Sequence, residues 1–292
     1  MSIVWLASYP KSGNTWMRAF LANYVLDAEE PADINSLRNA SIASSRSLFD
    51  RFAGVRSSDL TQDEIDSLRP HVYRLVAAAY PSPYFVKVHD RYSFLPDGSP
   101  LFPEAATKCA IYIIRNPFDV AISGVAHFNL DEVEVAVAGM GVDAALCDRQ
   151  DSMAGQLRQR LGTWSAHVQS WTSVEPFPVL VVRYEDMLLD PNETFANVVR
   201  AVGLPLGRDR LEKAIEFSSF ERLRRQELES GFGERASRTT EFFRRGEIGD
   251  WVNHLSERQV RKVIHDHGAT MRRFGYIDEQ RSVVFGQRVQ AM

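Results

Sequence analysis

The amino-acid sequence predicts an α/β fold, in which a single domain over residues 1–292 has a central parallel sheet flanked by helices. The first observation is a set of short apolar runs without alternation, a pattern typical of parallel strands buried on both faces. The second is that segments with helical periodicity separate these runs, and such β–α alternation favours a parallel sheet. The predicted strands are Ile3–Ala7, Tyr84–Val88, Cys109–Ile114 and Pro178–Val182.

Apolar residues at helical spacing predict helices between and after these strands. The predicted helices are Thr15–Leu26, Gln62–Ala79, Pro117–Phe128, Gln150–Trp171, Asp190–Val202, Arg208–Arg225 and Glu257–His267.

Other stretches lack a clear period. We interpret 27–60 and 131–147 as insertions, the polar stretch at about 229–243 as a mobile lid, and 278–292 as a tail.

Composition excludes several classes of protein. The chain is 45% hydrophobic and 25% charged, which is ordinary for a globular protein, and its net charge of −4 argues against a general nucleic-acid binder. No apolar run approaches the roughly 20 residues that a membrane span needs. Cys109 and Cys147 are far apart, so we expect neither a disulfide framework nor a metal site. With no secretory leader pattern at the start, we expect a cytoplasmic protein.

The first predicted strand runs into a turn that suits a phosphate group. The turn reads Tyr9-Pro10-Lys11-Ser12-Gly13-Asn14-Thr15-Trp16 and is followed by a helix, whose first N–H groups and dipole favour an anion. Lys11 adds a charge, Ser12 and Thr15 add hydroxyls, and Gly13 lets the backbone approach closely. The turn is not a Walker A motif, because that motif requires a glycine well before the lysine.

The second predicted site follows the strand Tyr84–Val88. Lys87 and His89 are two residues apart, so they share one face of an extended chain. The unperturbed pKa of histidine, near 6.5, suits general-base catalysis at neutral pH. Taken alone, a histidine at a strand end is more often structural.

The third predicted site follows the strand Cys109–Ile114. Arg115 stands at the strand end, Pro117 suits the first position of the next helix, and Ser123 lies about two turns into it. The planar fork of an arginine can bind a phosphate through two hydrogen bonds. We interpret Asp119 as a charge that favours the start of the helix.

These motifs, with two further ones, resemble those of the sulfotransferases that use 3′-phosphoadenosine 5′-phosphosulfate (PAPS). Tyr-Pro-Lys-Ser-Gly-x-Thr-Trp resembles their 5′-phosphosulfate loop, Lys-Val-His resembles Lys-Thr-His, and Arg115 with Ser123 resembles their 3′-phosphate motif. The further motifs are Tyr184-Glu-Asp-Met with Ser218-Ser-Phe-x-x-Leu, and Arg244-Arg245-Gly246-x-x-Gly-Asp-Trp, where Arg245 replaces the family's lysine.

The resemblance implies the P-loop nucleotide-kinase-like fold of the sulfotransferases and a sulfuryl transfer without a metal. It implies that His89 is the general base, that Lys11 neutralises the leaving phosphate and that Lys87 supports the transferred group. The residues that it implies for PAPS binding are Lys11, Ser12, Gly13, Asn14, Thr15, Trp16, Arg115, Ser123, Tyr184, Ser218, Phe220, Arg244, Arg245 and Gly246.

Two other functions stay open at this point: an ATP-dependent kinase on a related fold, and a nucleotide sensor without catalysis. The acceptor is expected to be a small molecule with a hydroxyl or an amine, bound beside the insertions 27–60 and 131–147. Five aromatic residues could line its pocket or belong to the core: Phe49, Phe52, Tyr92, Phe94 and Phe128. The family's dimer motif is absent after Trp251, so the sequence predicts no oligomeric state.

Overall fold

A computed structural model describes residues 1–37, 40–149, 152–235, 241–280 and 283–284. The strands are β1 Ile3–Ser8, β2 Ala40–Ile42, β3 Tyr84–Val88, β4 Thr107–Ile114, β5 Ala144–Leu146, β6 Gln159–Gly162 and β7 Val179–Arg183. The helices are α1 Asn14–Leu26, α2 Arg46–Ala53, α3 Gln62–Ala79, α4 Pro117–Phe128, α5 Val133–Met140, α6 Trp164–Thr172, α7 Tyr184–Leu189, α8 Pro191–Ala201, α9 Arg208–Phe217, α10 Phe220–Ser230 and α11 Glu257–Arg273.

Five strands form a parallel sheet in the order β2-β3-β1-β4-β7, with β1 at its centre. Ala7 pairs with Val88 of β3, and Ser8 pairs with Ile113 of β4. The carboxyl ends of the three central strands therefore lie at one edge of the sheet. The predicted α/β class with a central parallel sheet is confirmed, and the four predicted strands are present within one or two residues of their expected bounds.

The centre of the sheet is apolar on both faces because alternate residues of β1 point to opposite sides. Trp5 packs edge-on against Tyr73 of α3 and Phe102 on one side. Val4 and Leu6 belong to the cluster on the other side, together with Phe20 of α1. This two-sided burial explains why β1 reads as a continuous apolar run rather than an alternating one.

Three predicted helices have different bounds. The predicted helix Gln150–Trp171 is wrong over most of its length, since β6 lies within it and α6 begins only at Trp164, where the Thr163 side chain caps it. The predicted helix Arg208–Arg225 is divided into α9 and α10 at Ser218 and Ser219. The predicted helix Glu257–His267 continues to Arg273.

The stretches without a period contain regular structure as well. The stretch 27–60 supplies the edge strand β2 and helix α2, and 131–147 supplies α5 and β5, which pairs antiparallel with β6. Of the predicted lid, 236–240 lies outside the described residues, and so does most of the predicted tail. Within the described part of the chain, no helix is both long and apolar enough to cross a membrane.

Candidate active site

A cavity of about 510 Å³ opens at the carboxyl ends of the central strands. Its lining combines the three predicted strand-end sites with residues from α10 and the segment 242–250. The predicted site residues that it brings together are Lys11, Gly13, Asn14, Thr15, Trp16, Lys87, His89, Arg115, Ser123, Tyr184, Phe220, Arg244, Arg245 and Gly246.

Two positive φ angles and the hydrogen bonds of one asparagine determine the shape of the turn between β1 and α1. Lys11 and Gly13 have φ angles of 68° and 97°, so the chain turns sharply before α1 begins. The Asn14 side chain donates hydrogen bonds to the Leu6 carbonyl at 2.7 Å and to the Ser8 hydroxyl at 3.2 Å. The structure thus gives Asn14 a role in fastening the turn to the strand.

Ser12 does not line the cavity with its neighbours. Its hydroxyl is buried and, among the residues that the structure describes, has no hydrogen-bond partner.

Lys11 is a buried cation among other cations. Burial, followed by the charges of Arg115 and Lys87, lowers the pKa of its amine to about 7. The Lys11 ammonium lies 4.1 Å from the centroid of the Phe242 ring, which offers a weak cation–π contact. An anion placed in the cavity would relieve this crowding of positive charge, because it would stabilise the protonated amine.

The imidazole of His89 is fixed by the end of β1. Its Nδ1 atom lies 2.8 Å from the Ser8 carbonyl oxygen, and the His167 Nε2 atom lies 2.9 Å from the His89 carbonyl oxygen. Burial, and then the Lys87 charge, lowers the pKa of His89 well below its usual value of 6.5. His89 is therefore neutral at neutral pH.

Lys87 forms an ion pair that the sequence did not suggest. Its ammonium lies 2.7 Å from a carboxylate oxygen of Glu234, whose other oxygen lies 2.5 Å from Arg18. The two cations hold the pKa of Glu234 at about 2, so the carboxylate is ionised. No periodicity or motif marks Glu234 or Arg18, and 147 positions separate Glu234 from Lys87.

The Arg115 guanidinium contacts an aromatic ring, with its central carbon 4.1 Å from the centroid of Tyr184. It donates hydrogen bonds to the Lys11 carbonyl at 3.1 Å and to the Glu247 carbonyl at 3.2 Å. Arg115 thereby joins the first turn to the 244–251 loop. The Tyr184 ring also packs under Gly13, where an added Cβ would lie 2.6 Å from a ring carbon.

The loop 244–251 is tied to α4 and α10. Gly246 has a φ of +66°, and an added Cβ there would lie 2.4 Å from the Phe220 ring. The Asp119 carboxylate accepts hydrogen bonds from the N–H groups of Gly249 and Trp251. Asp119 does stand in the first turn of α4, as predicted, but it also anchors this loop.

The cations of the loop share one counter-ion. Arg244 and Arg245 each contact the Asp250 carboxylate, at 2.8 Å and 3.0 Å. Both remain about one-third exposed, at 34% and 38%, so they can also reach an anion in the cavity.

Ser218, like Ser12, is a predicted site residue that does not line the cavity. It is fully buried, and its hydroxyl donates to the Ala214 carbonyl at 2.8 Å, where α9 ends. The hydroxyl hydrogen is thus used at the end of α9, and the expected contact with the purine stays a prediction.

Both insertions contribute to the lining of the cavity, through Ile42 and Leu146. Apolar and amide side chains line it as well as the cations: Ile42, Phe128, Leu146, Gln156 and Gln159. Of the five aromatic residues considered for the acceptor pocket, only Phe128 lines the cavity. Phe49 is in the core, Phe52 and Tyr92 pack against it, and Phe94 is 65% exposed.

Among the described residues, no group of three or more His, Cys, Asp and Glu side chains is arranged to hold a metal ion. The lining of the cavity includes five cationic side chains, which suit phosphate or sulfate groups: Lys11, Lys87, Arg115, Arg244 and Arg245.

Comparisons with known proteins converge on one family. The family model described as the sulfotransferase domain matches residues 2–275. A 3-alpha-hydroxysteroid sulfotransferase of Cavia porcellus is 26% identical, over 87% of this chain and 78% of that protein. A flavonol 3-sulfotransferase of Flaveria bidentis is 26% identical, over 89% of this chain and 78% of that protein.

Solved structures show the same fold. Mouse sulfotransferase SULT7A1, complexed with PAP (adenosine 3′,5′-bisphosphate), matches with a TM-score of 0.58 and 19% identity, over 93% of this chain and 85% of that chain. Retinol dehydratase, in complex with androsterone and PAP, matches with a TM-score of 0.58 and 20% identity, over 92% of this chain and 80% of that chain.

Proposed function

The chain belongs to the sulfotransferase domain family, and from this premise we propose that it transfers a sulfuryl group from PAPS to a hydroxyl of a small-molecule acceptor. The resemblance predicted from the motifs is thus confirmed at the level of the family. The observation that carries the proposal is that Lys11, Lys87, His89 and Arg115 converge on one cavity.

The cavity fits a nucleotide that carries two anionic groups. Lys11 lies at the helix N-terminus, while Arg115, Arg244 and Arg245 form a second group of cations along the wall. In the described residues, the Nε atom of Arg115, which lines the cavity, has no hydrogen-bond partner, so it can serve a ligand. We assign the first group to the 5′ end of PAPS and the second to its 3′-phosphate.

Aromatic side chains line the same cavity and suit a purine. Trp16, Tyr184 and Phe220 lie along its wall, with Trp16 and Tyr184 packed edge to face at 5.7 Å between ring centroids. Stacking of a base on such a ring contributes on the order of 1–3 kcal/mol. We assign the purine to these rings.

When bound, PAPS supplies the sulfuryl group and a phosphate that leaves as the transfer proceeds. His89 is suited to accept the acceptor's proton at Nε2, because the Ser8 carbonyl fixes the hydrogen on Nδ1. Such a base contributes about 10²–10⁴ in rate. Lys11 places its charge beside the leaving phosphate and Lys87 beside the transferred group, each worth about 10²–10³.

The acceptor side of the cavity suits an apolar molecule that carries hydroxyl groups. Ile42, Phe128 and Leu146 offer apolar surface, and the amides of Gln156 and Gln159 offer hydrogen bonds. The relatives named for a hydroxysteroid and a flavonol, and the neighbour bound to androsterone, fit the same class of acceptor. We therefore favour a hydroxyl over an amine.

We also propose a cytoplasmic location. The two cysteines, neither of which forms a disulfide, are consistent with it.

The test is to incubate the purified protein with PAPS and a panel of steroids, phenols, alcohols, glycosides and amines, and to follow adenosine 3′,5′-bisphosphate (PAP) by mass spectrometry. Release that depends on an acceptor, is lost in Lys11→Ala and His89→Ala, and is kept in the exposed-site control His71→Ala would support the proposal.

Other results would favour the alternatives. Tight PAPS binding without release for any acceptor would favour a sensor, whereas preference for ATP over PAP would favour a kinase. Absence of binding to either PAPS or PAP would refute the nucleotide assignment altogether.

A further inference from the structure

The Glu234 carboxylate lies between two cations at the wall of the cavity. One oxygen is 2.7 Å from the Lys87 ammonium and the other is 2.5 Å from the Arg18 guanidinium. The side chains of Lys87 and Arg18 are only 14% and 7% exposed, so bulk water cannot take the place of this carboxylate. The mechanism above uses Lys87 but gives Glu234 no role.

Glu234 contacts Lys87 directly and acts on the other groups assigned to the chemistry through its charge. Burial lowers the pKa values of Lys11, Lys87 and His89, and the negative charge of Glu234 offsets part of this lowering. It comes from the segment after α10, whereas Lys87 stands on β3 and Arg18 on α1, so three separate parts of the chain meet at this carboxylate.

A carboxylate and a sulfuryl group form the same kind of contact with a lysine, since both present anionic oxygens to its N–H donors. Glu234 therefore occupies the contact on Lys87 that the proposed function assigns to the transferred group. The two cannot both lie against Lys87 without placing negative charges side by side, which is unfavourable in a partly buried site.

We infer that Glu234 is a specificity-determining residue that discriminates between PAPS and PAP, and this inference rests on the proposed function. PAPS carries the group that must displace Glu234 from Lys87, whereas PAP lacks it and leaves the ion pair intact. Glu234 thus weakens the binding of PAPS selectively. Once the sulfuryl group has passed to the acceptor, the ion pair forms again, and this favours the enzyme-bound products over the enzyme-bound substrates.

Arg18 limits how far Glu234 moves. Leaving a buried cation without its partner is strongly unfavourable, so the carboxylate stays on Arg18 while it releases Lys87. The displacement is then a rotation of the Glu234 side chain about its contact with Arg18.

The test compares dissociation constants for PAPS and PAP in the wild type, Glu234→Gln and Glu241→Gln, measured by calorimetry. Glu241 is a matched control, because it lies on the same stretch between α10 and α11 but pairs with Arg224 at 3.3 Å and does not line the cavity. We expect Glu234→Gln to bind PAPS at least about tenfold more tightly while its PAP affinity changes less than about threefold. Glu241→Gln should change neither.

The same comparison in a Lys87→Gln variant tests whether Lys87 is the residue for which Glu234 and the sulfuryl group compete. There, adding Glu234→Gln should leave the ratio of PAPS to PAP affinity unchanged, and a tenfold change would overturn the inference. If Glu234→Gln does not fold, Glu234→Asp replaces it, since the shorter side chain cannot bridge both cations and should also tighten PAPS binding.

The remaining outcomes separate this inference from the proposed function. Equal tightening of PAPS and PAP, or no change in either, would overturn the role of Glu234 while leaving the nucleotide site intact. Failure of the wild type to bind either nucleotide would instead refute the proposed function.

Discussion

The Nδ1 atom of His89 lies 2.8 Å from the carbonyl oxygen of Ser8, the last residue of the central strand. A carbonyl oxygen can only accept a hydrogen bond, so Nδ1 carries the hydrogen and Nε2 holds the free electron pair. Since burial and Lys87 also keep this imidazole neutral, a histidine at this strand end is prepared to act as a base.

Replacing His89 by asparagine should lower kcat by about 10²–10⁴ while the dissociation constant for PAP changes less than about threefold. The asparagine amide can still donate to the Ser8 carbonyl, so the turn is preserved and only the base is lost. Turnover assays and PAP calorimetry check this, with His71→Asn as the control at an exposed site. Unchanged turnover in His89→Asn would rule out His89 as the base.

The affinity for PAP should depend on pH through Lys11. The pKa of its amine in the free protein is about 7, so it is charged below pH 7 and loses its proton as the pH rises above that value. Because the charged amine attracts phosphate, PAP affinity should fall by up to about tenfold per pH unit above pH 7, with uptake of a proton on binding.

Lys11→Met provides the control for this dependence, since the phosphates of PAP titrate equally with both proteins. The variant should bind PAP weakly and without the decline above pH 7. It should also be more stable than the wild type without nucleotide, by about 1 kcal/mol, because a desolvated charge among cations is removed. Calorimetry in buffers of different ionisation enthalpy measures the proton uptake, and a pH-independent difference between the two proteins would contradict the assignment.

These two residues also show what a sequence can predict about this molecule. Lys11 and His89 follow buried parallel strands, and the apolar runs that mark such strands are strong signals, so the edge of the sheet that holds the site could be located. Strand β2 was missed because three residues, Ala40–Ile42, are too short to show a pattern.

Two further features of the site depend on contacts made by single side chains. Ser218 matched a motif, yet its hydroxyl turns back to the Ala214 carbonyl and ends α9, a choice between two hydrogen-bond partners that spacing does not determine. No sequence pattern marked Glu234, because its place in the site depends on ion pairs with Lys87 and Arg18, which are distant from it in the sequence.

Arg115→Lys should separate recognition of the 3′-phosphate from that of the rest of the nucleotide. Lysine has no planar guanidinium to pack against Tyr184, and it lacks the fixed fork through which Arg115 donates to the Lys11 and Glu247 carbonyls. We expect PAP affinity to fall by about 10–100-fold, while affinity for adenosine 5′-monophosphate, which has no 3′-phosphate, falls less than about threefold. An equal loss for both ligands would indicate that Arg115 only supports the fold.

The last prediction concerns the contact of Gly246 with Phe220, for which Gly54 is a matched control. Both glycines have positive φ angles, +66° and +70°, so alanine is strained at either position. An added Cβ at Gly54 meets nothing within 4 Å, whereas at Gly246 it would lie 2.4 Å from the Phe220 ring. Each substitution should lower the free energy of unfolding by about 1 kcal/mol or more.

Only Gly246→Ala should also weaken PAP binding, by about tenfold, because the displaced Phe220 ring stands on the wall assigned to the purine. Urea unfolding and PAP calorimetry on both variants provide the two measurements. If Gly246→Ala binds PAP as the wild type does although it is destabilised, Phe220 is a packing residue of the loop and the purine lies elsewhere along the cavity.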